Sequence, residues 1–156
     1  MSRKGPTSIL IISARFYEEI ADELARGATE ELRGNDVEYE EISVPGSLEI
    51  PLALSLALAN GFVGRAGRHR ACIALGCVIR GQTSHFDIVA RESAAGLNQL
   101  ALQHGIPIGS GIITCESMEQ AWERASVDGR NQGGDAARAC LTLMRLEEQF
   151  SSASRR

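Results

Sequence analysis

The residues best equipped for chemistry fall in one short run, Arg80-Gly81-Gln82-Thr83-Ser84-His85, directly after an apolar stretch from Ala71 to Ile79. Gly81 lets the backbone approach a ligand closely. The amides of Gln82, Thr83 and Ser84 at a helix start form an anion site reinforced by the helix dipole. A phosphate suits such a turn. No Gly-Lys-Ser/Thr follows, which argues against a metal-assisted nucleotide loop. Taken alone, Thr83 and Ser84 are better read as helix caps. His85 alters that balance, because an imidazole within one turn of an anion site can move protons near neutral pH.

Other reactive side chains are few, and their spacing excludes several chemistries. Cys72, Cys77, Cys115 and Cys140 include no Cys-x-x-Cys pair, so neither a zinc site nor a redox motif is indicated and they read as reduced core thiols. His69, His85 and His104 are not spaced to share a metal from one helix face. His69, in a Gly- and Arg-rich connection, reads as solvated. Lys4 is the single lysine, which argues against Schiff-base catalysis. The expectation is a site without metal or cofactor.

Stepping outward from the turn, residues 71–79 have no polar alternation, as expected for a strand covered on both faces of a parallel sheet. Residues 8–13 are a first buried strand that delivers Phe16 to the sheet edge. Residues 17–33 repeat Ile20, Leu24, Ala28 and Leu32 at helical spacing, ended by Gly34-Asn35. Residues 37–44 alternate as a half-exposed edge strand does. Pro45-Gly46 breaks it. Ser47 and Leu48 offer amides at the next helix start, Glu49 is its early carboxylate, and 52–58 is its apolar body.

After the turn, residues 86–104 carry Val89, Ser93, Leu97, Leu100 and Ala101 on one helical face, stopped by Gly105. Residues 106–114 form a fourth strand, whose glycines let another element come close. Ser117 to Gln120 is a capping box opening a short helix to Ser126, with Ala121 and Trp122 inward. Residues 135–150 form a last helix with Ala139, Leu143 and Leu146 on its inner face. Strands alternating with helices predict an α/β fold: a parallel sheet with helices on both sides and right-handed crossovers. Phe16, Glu49 and Arg124 each have a plain structural reading: an aromatic packed on the following helix, a helix cap, and a solvated arginine.

The chain has 156 residues, 44% hydrophobic content and a formal net charge of -4. That length predicts one domain over residues 8–150, with flexible termini at 1–7 and 151–156. The acidic balance argues against a nucleic-acid surface. The absence of a long apolar span or a signal-like start predicts a cytoplasmic protein with no membrane partner.

Leu75-Gly76-Cys77-Val78-Ile79-Arg80 followed by Gly81-Gln82-Thr83-Ser84-His85-Phe86-Asp87 resembles the central motif of the lumazine synthases of riboflavin biosynthesis. Four more stretches agree in order and spacing: Ala14-Arg15-Phe16, Val44 to Pro51, Gly111-Ile112-Ile113-Thr114, and Glu119 to Ala125. The resemblance runs from about Ser8 to Phe150. It implies a three-layer α/β/α sandwich on a four-stranded flavodoxin-like sheet in order 2-1-3-4, and a transferase. The reaction implied joins 5-amino-6-ribitylaminouracil to 3,4-dihydroxy-2-butanone 4-phosphate, giving 6,7-dimethyl-8-ribityllumazine, phosphate and water.

By the same resemblance Phe16 stacks on the pyrimidine, the backbone of Cys77, Val78 and Ile79 reads its polar edges, and Ser47, Leu48 and Glu49 hold the ribityl chain. Gln82, Thr83 and Arg124 hold the phosphate, Arg124 coming from a neighbouring subunit, and His85 moves protons. Ser110 occupies a substrate-site position where the family often has phenylalanine. Tyr17 and Gln132 also depart, from asparagine and lysine. The implied assembly is a homopentamer rather than a sixty-subunit shell, because residues 125–133 lack the usual start of the shell-forming segment. Riboflavin synthase is an implied partner. A non-catalytic lumazine- or flavin-binding or assembly protein on the same fold is the alternative. A flavodoxin-type electron carrier fits less well, since no phosphate loop follows the first strand.

Overall fold

The computed structural model describes residues 7–156. Most of the expected flexible start therefore lies outside the described residues. Four strands, β1 (Ser8–Ala14), β2 (Glu38–Val44), β3 (Ala71–Ile79) and β4 (Ile108–Cys115), form one parallel sheet in the order β2-β1-β3-β4. Five helices, α1 (Glu18–Gly34), α2 (Glu49–Ala59), α3 (His85–His104), α4 (Met118–Ala125) and α5 (Gln132–Ala153), cover it. Fold class and strand order are those expected. Among the described residues, no helix is long and apolar enough to cross a membrane.

The two faces of the sheet bury separate cores. Ile9, Ile11, Ile73, Leu75 and Cys77 pack under α1, α4 and α5; Leu10, Ile12, Cys72 and Ala74 pack under α2 and α3. β3 contributes to both, which is why its sequence is apolar without alternation. β2, at the edge, is nowhere fully buried. β4 begins two residues later than expected. Pro107 has no N–H to donate and supplies only its carbonyl to Cys72, at 3.1 Å.

The inner faces of the last two helices differ from expectation. On α5, Ala136, Ala137, Cys140, Leu141 and Met144 are buried, while Ala139, Leu143 and Leu146 point outward. The helix starts earlier, at Gln132, and lies close against its neighbours. A Cβ on Gly133 would fall on the Leu24 carbonyl, and one on Gly109 of β4 on that of Ala136. Small residues are needed wherever backbones approach this closely, so the start of α5 buries Gly133, Gly134, Ala136 and Ala137, and Leu141 and Met144 are buried only further along. On α4, Ala121 and Ala125 are buried and Trp122, expected inward, is 39% exposed. α5 continues past Phe150 to Ala153, with the Ser154 N–H closing on the Phe150 carbonyl at 3.0 Å.

His69 is not solvated. It is 1% exposed, with Nδ1 2.8 Å from the Ser8 hydroxyl and Nε2 3.0 Å from Glu40. Its ring packs edge-on against Phe62. The connection between α2 and β3 is thus fastened to β1 and β2.

Candidate active site

Parallel pairing leaves one strand edge open. β1 and β3 stop pairing at Ser13 opposite Leu75, whereas β3 stays paired with β4 until Ile79 opposite Cys115. From Gly76 onward, the β1-facing edge of β3 has no strand partner. This is also where strand order reverses, β1 leading outward to β2 and β3 to β4, the place at which open α/β sheets take ligands.

A cleft of about 490 Å³ occupies that position, bordered by Phe16, Tyr17, Pro45 to Glu49, Cys77 to Ile79, Gly81, Thr83, His85 and Val89. Four separate segments meet there. Nine of the twelve expected site residues border it: Phe16, Ser47, Leu48, Glu49, Cys77, Val78, Ile79, Thr83 and His85. Gln82 stands exposed between two lining residues without itself lining the cleft. Ser110 and Arg124 lie outside this chain's own cleft. Ser110 is exposed on the free edge strand β4, opposite Ala74 of β3, and Arg124 is half-buried on α4. Arg124 makes no ion pair among the described residues.

Sequence reasoning placed Gly81 in the ligand-binding turn but left Tyr17, Pro45, Gly46 and Val89 off the site. Two had a usable signal: Tyr17 follows Phe16, and Val89 lies one helical turn after His85.

Phe16, just beyond β1, is 73% exposed, which leaves a ring face open to a flat ligand. Tyr17 meets it edge-on, with centroids 4.9 Å apart. Burial and the nearby Cys77 raise the Tyr17 phenol above its usual range. At the start of α2, Glu49 accepts a hydrogen bond from the Gly46 N–H at 3.1 Å. The carboxylate is therefore a cap, as its plain reading had it, and that contact also fixes its direction at the cleft wall. The N–H groups of Ser47 and Leu48 have no acceptor among the described residues. The Ser47 hydroxyl is buried without a partner, and Gly76 makes room for it: a Cβ there would stand 2.5 Å from Ser47 Oγ.

Opposite, the turn before α3 is held loosely. The His85 N–H donates to Thr83 Oγ1 at 3.3 Å, and Ser84 provides no side-chain cap. The N–H groups of Gln82, Thr83 and Ser84 remain unused among the described residues. The His85 imidazole is exposed, with no hydrogen bond among the described residues. Burial, with Cys115 adding to it, pushes the Cys77 thiol up to about 12, so it is protonated and unreactive at neutral pH.

Fold and cleft define the class: a doubly wound, flavodoxin-like α/β protein whose cleft opens at the β1/β3 switch point, with an aromatic wall, free amides and a histidine. The profile of the family described as 6,7-dimethyl-8-ribityllumazine synthase matches residues 6–148. Curated relatives carry the same description. That of Xanthobacter autotrophicus is 49% identical over 145 residues, 92% of this chain and 87% of the relative. That of Afipia carboxidovorans is 47% identical over 144 residues, 92% and 87% of the two chains. That of Bartonella tribocorum is 46% identical over 148 residues, 95% and 94%. The chain belongs to the 6,7-dimethyl-8-ribityllumazine synthase family, transferases of riboflavin biosynthesis.

Proposed function

We propose that this protein condenses 5-amino-6-(D-ribitylamino)uracil with 3,4-dihydroxy-2-butanone 4-phosphate to 6,7-dimethyl-8-ribityllumazine, phosphate and water. The observation that carries the proposal is the meeting of the Phe16 wall, the unpaired edge of β3, the start of α2 and the Gly81–His85 turn around one cleft. Phe16 stacks the uracil, whose polar edge bonds to the backbone of Cys77, Val78 and Ile79. The ribityl hydroxyls take the amides of Ser47 and Leu48 and the free lone pairs of Glu49. The phosphate sits on the amides of Gln82 and Thr83.

His85 then shuttles protons as the amine adds to the ketone and a first water leaves, phosphate is expelled, and the ring closes onto the resulting carbonyl with loss of a second water. An amine and a ketone are already reactive partners, so holding them in contact supplies most of the acceleration.

Arg124 completes the phosphate site of a neighbouring subunit. Its unpaired guanidinium outside its own chain's cleft supports this, and Ser110 on the free edge of the sheet lies equally outside it. The assembly proposed is a cytoplasmic homopentamer, free rather than stacked into a shell, with riboflavin synthase as a partner. Mixing purified protein with both substrates and following lumazine fluorescence tests the reaction. Turnover above the spontaneous rate is expected, and ligand binding without turnover would leave only a binding protein.

A further inference from the structure

The Gly81–Ser84 turn has almost no ties of its own, yet both of its ends meet one side chain. Arg80 precedes it, its N–H continuing the ladder to the Cys115 carbonyl at 2.9 Å. The Arg80 Nε donates to Glu116 at 2.9 and 3.2 Å, and a terminal nitrogen reaches Asp87 at 3.5 Å. The guanidinium carbon lies 4.3 Å from the centre of the Phe86 ring. Glu116 belongs to the β4–α4 junction, where its own N–H is held by the Gln120 side chain at 2.8 Å. Phe86 and Asp87 belong to the first turn of α3. One guanidinium thus spans from the end of β4 to the far end of the loose turn.

We propose that Arg80 is a positioning residue for the phosphate-binding turn, clamping the start of α3 to the end of β4 so that the amides of Gln82, Thr83 and Ser84 converge. This rests on the reading that the turn takes the substrate phosphate. Arg80 does not border the cleft, and two carboxylates and an aromatic face meet its guanidinium, so the clamp assigns it no direct contact with the phosphate. The planar fork matters here, because it meets a carboxylate edge and stacks on a ring at once, which an ammonium does not.

The test is a sign. Inorganic phosphate is titrated into the wild type and the Arg80→Ala, Arg80→Lys and Glu116→Ala variants, followed by phosphorus NMR, and KM for each substrate is measured alongside thermal melting. A clamp predicts that Arg80→Ala and Glu116→Ala both weaken phosphate, on the order of fivefold as for a partly exposed network. KM should rise for the phosphate-bearing substrate and not for the ribityl one, and Arg80→Lys should recover only part of the loss. If Arg80 instead touches phosphate, Glu116→Ala frees the guanidinium and tightens phosphate, which overturns the clamp. Full recovery in Arg80→Lys, or equal rises in both KM values, also overturns it. Wild type that binds phosphate with these variant effects but makes no lumazine refutes the proposed reaction and leaves the clamp standing.

Discussion

Replacing Ser47 by alanine should stabilise the protein and leave substrate affinity nearly unchanged. The Ser47 side chain is 4% exposed, and its hydroxyl oxygen is buried without a hydrogen-bond partner. An unsatisfied buried hydroxyl costs about 1–3 kcal/mol, so alanine should stabilise the unliganded protein by about 1 kcal/mol. In a domain of this size that is a rise in melting temperature of roughly 2–4 °C. The same oxygen is closed off from the cleft, so KM for the ribityl compound should change by less than about twofold. A companion variant tests the packing. In Gly76→Ala the new methyl stands 2.5 Å from Ser47 Oγ and 3.4 Å from both Ala14 and Ile50, an overpacking that should cost about 1–3 kcal/mol. Most of that cost should vanish in the Ser47→Ala/Gly76→Ala double variant, because the clashing oxygen is gone. Melting curves and steady-state kinetics on the four proteins read all of this. A destabilised Ser47→Ala protein, or strict additivity in the double variant, would refute the reasoning.

His85→Ala should slow single-turnover chemistry by about 10²–10⁴ while leaving ribityl-compound binding nearly intact, and unchanged single-turnover rates would remove the proton-transfer role. Thr83→Asp and Arg124→Ala should each be nearly inactive, the first by repelling phosphate and the second by removing its charged fork. Unfolded together and reassembled, they should regain activity at interfaces that join an intact turn to an intact arginine; confirmed co-assembly without recovery would place Arg124 within one subunit's site. Light scattering should give the mass of five chains, and a sixty-subunit mass would overturn the free pentamer. At neutral pH iodoacetamide should alkylate Cys77 far more slowly in the native protein than after unfolding. The native rate should climb about tenfold per pH unit toward 12, because burial holds the folded thiol protonated there.

Local chemistry was legible in the sequence because it depends on neighbours along the chain. The unbroken apolar run of β3 announced burial on both faces, and Ile20, Leu24, Ala28 and Leu32 on α1 are all buried as their spacing required. The glycine turn into α3 was legible for the same reason, since a strand, a permissive residue and free helix-start amides are all set within a few residues. Family motifs added the other cleft-lining stretches, which no periodicity could have brought together.

Tertiary structure decided what depends on distant alignment. A helical period shows which residues share a face but not which of two apolar faces meets the sheet. At the start of α5 the choice fell to the small residues, because Gly109, Gly133 and Ala136 let backbones meet where Leu143 and Leu146 could not follow, and Leu141 and Met144 take the inner face further along. His69 reads as a surface residue until the chain folds back and supplies Ser8 and Glu40 from other strands. Above all, β3 outruns β1 by several residues, a matter of register between segments some sixty positions apart. That offset opens the edge on which the cleft is built, and it is a property of the pairing between distant segments rather than of either strand read alone.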